Sequence, residues 1–144
     1  MKKESFILGK TIKQLSNHLD RNFNKALKQW ELTASQFSVI MYLLDNQSSE
    51  VNQKTLEDAF LLKGPTVTGI IKRLVEKGFV ERRTDNQDRR IHYLVLTEKS
   101  KELEPCMHED ISRLEADILK GISEDKIQLL DELLHQIIGN ITDQ

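Results

Sequence analysis

A chain of 144 residues, 38% hydrophobic and 31% charged, holds one domain's worth of material and enough apolar content for its own core. No apolar run approaches about 18 residues, so no transmembrane helix is expected. The single cysteine, Cys106, excludes an internal disulfide framework and fits a reducing cytoplasm. The net charge of −2 conceals an asymmetry, since residues 1–62 carry +1, residues 63–97 carry +4 and residues 98–144 carry −7. A local basic excess on a mildly acidic chain can mark a phosphate-binding footprint.

The opening "MKKESFILGKTIKQL" lacks a long apolar core and a small-residue cleavage site, so it does not read as a signal peptide, and a cytoplasmic location is expected. From Phe6 onward Leu8, Ile12, Leu15, Leu19, Phe23, Leu27 and Trp30 recur at spacings of three and four, which predicts one face of a long helix. A stripe that long usually packs against a partner. Thr33 is placed to cap a second helix with Phe37, Ile40, Met41 and Leu44 on one face. After the polar break "SSEV", the segment "NQKTLEDAF" predicts a short helix capped by Asn52, with Leu56, Ala59 and Phe60 inward. "LLKG" makes a tight turn into "PTVTGIIKRLVEKG", with Pro65 at the first helical position and Gly78 as the stop. "FVERR" and "IHYLVLT" read as two strands around the turn "TDNQD". Thr97 caps a following helix that Pro105 is expected to kink or restart and Gly121 to end. Ser123 caps a last helix striped by Ile127, Leu130, Leu134, Ile137 and Ile141. The expected fold is mainly α with a small β wing (α+β). It is a single domain over residues 1–144, with helical regions at 1–31 and 98–144 around a lobe at 32–97.

Two short helices joined by a tight glycine-containing turn form a helix-turn-helix, whose second helix enters a DNA major groove. Opposite its apolar stripe, that helix presents Pro65, Thr66, Gly69, Lys72, Arg73 and Glu76, with Thr68 on the flank. Small hydroxyl residues come first and cations one to two turns later, which suits base-edge contact followed by phosphate or guanine contact. Asn52, Gln53 and Lys54, at the start of the first motif helix, are candidates for the DNA backbone. Gly69 has two readings, a tolerated surface glycine or a point where another backbone comes close. The ribbon that follows carries Arg82 and Arg83 at its base and Arg89 and Arg90 by its tip, with Asp88 placed to orient a guanidinium. Charged hairpins are common, but directly after such a helix this one reads as a wing, whose arginine enters the narrow, negative minor groove.

The stretch "NQKTLEDAF…GPTVTGIIKRLVEKGFVERRTDNQDRRIHYLVLTEKS" resembles the MarR family of winged helix-turn-helix regulators. The resemblance rests on the PTVT-type helix start, on "RL-EKGFVER" leading into the wing, and on D-x-R before a strand ending in "LT". It implies a homodimer built from the N- and C-terminal helices, a palindromic operator near the regulator's own promoter, and a small-molecule or redox signal that lowers DNA affinity. Asp88 and Arg90 fall on the D-x-R pair, which favours Arg90 for minor-groove insertion. Three positions depart from the pattern. Glu57 stands where a small alanine is usual, Gly69 where arginine is frequent, and Ser100 replaces the usual glycine, a change expected to have no consequence.

The resemblance also implies a ligand pocket between the DNA-binding lobe and the dimer helices, for which Asn17, His18, Arg21 and Met41 are candidates. Arg21 or His18 would face an anionic ligand, although such helix-surface residues are often simply solvated. No cysteine lies near the N-terminal end of the first helix, and Cys106 is expected to be a packed, inert thiol. His18, His92, His108 and His135 are scattered, with "CMHED" the only cluster of possible ligands, so neither a metal nor a cofactor is expected. No Gly-rich phosphate loop or nucleophile–base signal points to an enzyme. The expected partners are double-stranded DNA, a second copy of the chain and a small-molecule effector, with no membrane. The alternatives are a winged-helix module for protein–protein contact, or a redox- or metal-responsive regulator of the same fold. The two arginine pairs favour DNA.

Overall fold

The computed structural model describes residues 7–142; residues 1–6, which open the stretch read for a signal peptide and the first stripe, and residues 143–144 lie outside the described residues. The first helix follows its apolar stripe through three windings. A π-helical segment Ile7–Ile12 leads into α1 (Lys13–Leu27), and a 3-10 turn Lys28–Trp30 ends at Glu31, which has a left-handed φ of 58°. Helix α2 (Ala34–Asp45) starts on a capping box, in which Thr33 Oγ1 accepts from the Gln36 N–H at 3.2 Å and Gln36 Oε1 accepts from the Thr33 N–H at 3.2 Å. Helix α3 (Gln53–Phe60) repeats the device with Asn52 and Thr55. Each cap satisfies orphan N–H groups and contributes about 1 kcal/mol.

The turn after α3 passes through Leu61 at φ 52°, and α4 spans Gly64–Glu76. Helix α4 therefore begins one residue earlier than expected. Pro65 occupies its second position, where the missing N–H still falls among the unpaired groups of a first turn. Gly78, at φ 81°, turns the chain into β1 (Val80–Thr84), which pairs antiparallel with β2 (His92–Leu96), Arg82 opposite Leu94 and Arg83 opposite Tyr93. Thr97 Oγ1 accepts from the Ser100 N–H and donates to the Gly78 carbonyl at 2.6 Å, so one hydroxyl caps α5 and ties it to the end of α4. Helix α5 spans Glu98–Ile118 without a break at Pro105, contrary to the expected restart. The lost backbone bond is one among many, and the helix is held on either side by its cap and by the fully buried Met107.

The chain divides into two compact units that part between Ile111 and Ser112. In the first, Leu27, Ile40, Leu56, Val67, Ile71, Leu74 and Met107 are almost wholly buried and form one core with Phe79, Val80, Leu94 and Leu96. The aromatic edge-to-face pair Tyr42–Phe60 flanks it. That core fixes α3, α4 and the ribbon on one scaffold. In the second unit α6 (Glu124–Thr142) follows the turn at Gly121 (φ 85°), with Ser123 Oγ accepting from the Lys126 N–H. No described residue of α6 is buried, and Leu129, Leu130, Leu133, Leu134, Ile138 and Ile141 are exposed. Among the described residues, no helix is long and apolar enough to cross a membrane.

Candidate nucleic-acid interface

Val67, Ile71 and Leu74 bury one side of α4, which leaves Pro65, Thr66, Thr68, Gly69, Lys72 and Arg73 exposed on the other. The expected face is therefore the presented face. Helix α3 is joined to it by Gln53, whose amide donates to Glu57 Oε2 at 3.2 Å, to the Gly64 carbonyl at 3.3 Å and to Thr68 Oγ1 at 2.9 Å. The unusual Glu57 has a local role here. Its carboxylate lies about 3.5 Å from where a Cβ on Gly64 would stand, and so lines the turn between the helices. Asn52 is occupied as a helix cap, and Lys54 pairs with Asp58 at 3.0 Å, which raises the lysine's pKa.

The ribbon separates the arginines. Neighbours on a strand point to opposite faces, and Arg82 lines a cleft of about 360 Å³ together with Gln53, Lys54, Arg90, Ile91 and His92. Arg83 lines a different hollow with Asn46, Gln47, Ser49 and Lys101, and its guanidinium lies 3.9 Å from Glu81. Directly across from it, burial first and then Glu50 raise the Tyr93 phenol. Of the two basal arginines only Arg82 shares a cleft with the motif helix.

At the tip, Asp85 Oδ2 accepts from the Gln87 and Asp88 N–H groups, and the Asp85 N–H donates to the Ile91 carbonyl, so the seven-residue connection has internal order. Asp88 takes Arg90 in bidentate fashion, with Nε to Oδ1 at 3.0 Å and Nη2 to Oδ2 at 3.1 Å, and also accepts the Arg90 backbone N–H. These bonds hold the Asp88 carboxyl below the usual carboxylate range and raise the Arg90 guanidinium. The Arg90 side chain is 91% exposed, so it is oriented yet free to meet a partner. Arg89 is exposed beside it.

Other expectations change. Cys106 is exposed, not packed, because Met107 takes the inward position and one residue of α5 turns the thiol about 100° away. Ser100 is not inconsequential. It is fully buried and its hydroxyl donates to the Phe79 carbonyl at 2.5 Å, locking the root of the wing to α5. Asn17, His18 and Arg21 are exposed on α1 and Met41 is half-buried on α2; none of them lines the clefts beside the motif helices or the ribbon. No group of three or more His, Cys, Asp or Glu side chains among the described residues converges as a metal site.

One contact had no sequence signal. Lys77, closing α4, donates to the carbonyl of the left-handed Glu31 and to Gln36 Oε1 at 3.2 Å. Its own carbonyl accepts from Lys99 Nζ at 2.6 Å, and that ammonium sits 4.6 Å above the Phe79 ring. The partners are separated by tens of residues, so no local pattern could have announced them.

Comparison with known proteins places this geometry among relatives. A MarR-family sequence model matches residues 30–91. The structure is similar to a MarR transcription regulator from Oenococcus oeni PSU-1, at 29% identity and a TM-score of 0.71, covering 92% of this chain and 98% of that one. It is also similar to a MarR transcriptional regulator from Methanosarcina mazei Go1, at 26% identity and a TM-score of 0.86, covering 96% and 99%. The fold matches a MepR–DNA complex from S. aureus as well, at 20% identity and a TM-score of 0.79, covering 96% and 99%.

Proposed function

Because this chain belongs to the MarR family of winged-helix transcription regulators, we propose that it acts as a homodimeric repressor on a palindromic operator and is released by a small-molecule effector. The observation that carries the DNA-binding surface is the cleft beside α4, which gathers Lys54, Arg82 and the carboxylate-oriented Arg90 on one side of the ribbon. In this reading Thr66, Thr68, Lys72 and Arg73 meet the major groove, Arg90 with Arg89 enters the minor groove, and Asn52, Gln53 and Lys54 lie along phosphates. Arg83 contributes through the general field, since it faces the other way.

The homodimer is supported by the exposed leucines and isoleucines of α6 and by Ile7, Leu8 and Leu15 of the first helix, apolar surface that a second copy would cover. Asn17, His18, Arg21 and Met41 are the residues proposed to meet an effector. The decisive experiment is a titration of the purified protein against a palindromic duplex with half-sites about 10 bp apart, over a range of salt. Affinity is expected to fall steeply with salt, and an isotherm flat in salt sinks the proposal. A monomeric mass at micromolar concentration sinks the dimer.

A further inference from the structure

The outward face of α4 carries an anomaly at its centre. At about 100° per residue, Pro65 and Gly69 lie along its midline, with Lys72 and Arg73 to either side one turn later. Neither Pro65 nor Gly69 offers a side-chain donor; the Thr68 hydroxyl, which accepts from Gln53 and keeps its own proton to donate, lies on the flank and not on this midline. Glycine is the least favourable helix residue after proline, yet nothing among the described residues accounts for Gly69. It is not among the positive-φ glycines, and a Cβ added there would meet nothing within 4 Å. The turn leading into α4 holds a second costly placement, Leu61, left-handed and 85% exposed. Both residues offer apolar surface to whatever the helix approaches.

In the major groove, base acceptors and phosphates seek donors, whereas the thymine C5-methyl seeks an apolar surface. We infer that Gly69 is a specificity-determining residue, seating a thymine methyl against bare helix backbone where any side chain would hold the base away. This rests on the DNA-binding reading above and names what that surface selects. Arginine at this position would instead read guanine, so the bare backbone shifts the preference of the site toward A·T pairs.

The test uses the full-length protein and a duplex that it selects from a random library. Failure to select any duplex overturns both readings together. Given a selected duplex, Gly69→Ala is expected to raise the unfolding midpoint, because the site is open and alanine is the better helix former, while affinity falls roughly tenfold. Thymines are then replaced singly by deoxyuridine, which removes only the methyl. At one position per half-site the parent is expected to lose roughly fourfold, the worth of one buried methyl, and Gly69→Ala to lose almost nothing. Unchanged affinity in Gly69→Ala, or equal losses for the two proteins at every thymine, overturns the inference while leaving DNA binding intact.

Discussion

The buried hydroxyl of Ser100 provides a quantitative check on how the wing is fastened. It donates to the Phe79 carbonyl at 2.5 Å, and that carbonyl also accepts the Thr97 N–H at 3.2 Å. Ser100→Ala therefore removes one hydrogen bond without orphaning the acceptor, so the loss is about 1 kcal/mol and not the larger penalty of an unpaired buried group. Alanine returns about 0.5 kcal/mol as the better helix former, leaving a net destabilisation of about 0.5 kcal/mol. Ser100→Gly loses the same bond and adds the cost of glycine inside a helix, for about 1.5 kcal/mol in total. Urea unfolding at one fixed protein concentration measures both, since association also shifts the midpoint. The order parent, alanine, glycine is expected. Ser100→Ala at or above the parental stability would mean that the contact contributes nothing and that the reasoning is wrong.

Arg90→Ala should weaken binding to the selected duplex by roughly ten- to a hundredfold, with only a small change in melting temperature because the ion pair it gives up is exposed. Arg83→Ala should cost far less, and equal losses for the two would show that the faces of the ribbon are not distinguished. Met107→Ala empties a fully buried site and should destabilise by about 2–5 kcal/mol in the same urea assay; a loss within error would place Met107 at the surface. Asp88, held low by Arg90, contributes stability that is present above the ordinary carboxylate pKa and lost as pH falls through its depressed folded value. Carboxyl-carbon NMR should give a midpoint below that of free aspartate, and one at or above it refutes the pairing.

Much of the fold was legible because the signals were local. Thr33, Asn52, Thr97 and Ser123 cap the helices they were assigned, and Gly78 and Gly121 make the positive-φ turns expected of them. Periodicity also gave the buried face of α4. The expectation of a packed Cys106 rested on the usual burial of free cysteine and failed on α5, where the neighbouring Met107 takes the inward position and only the packed helix decides between them. The windings of the first helix and its left-handed end at Glu31 left no mark in the apolar stripe. At the candidate site, Arg82 and Arg83 were read together at the base of the wing; alternation along β1 sets them on opposite faces, and which face meets the cleft depends on tertiary placement. Ser100 was misjudged because a small residue beside a cap shows its value only when the strand carbonyl it meets is known.

Lys77 makes α4 one member of a linkage. A single ammonium grips the corner between α1 and α2, and the carbonyl of the same residue is gripped by the start of α5. Rotation of that corner must either drag the end of α4 with it or leave the cation without its acceptors. Two hydrogen bonds through Lys77 thus tie the C-terminal end of α4 to the corner between α1 and α2 and to the start of α5. Under the proposed function, anything that wedges α1 from α2 would reach α4 as a change of angle, with no residue of its exposed face altered.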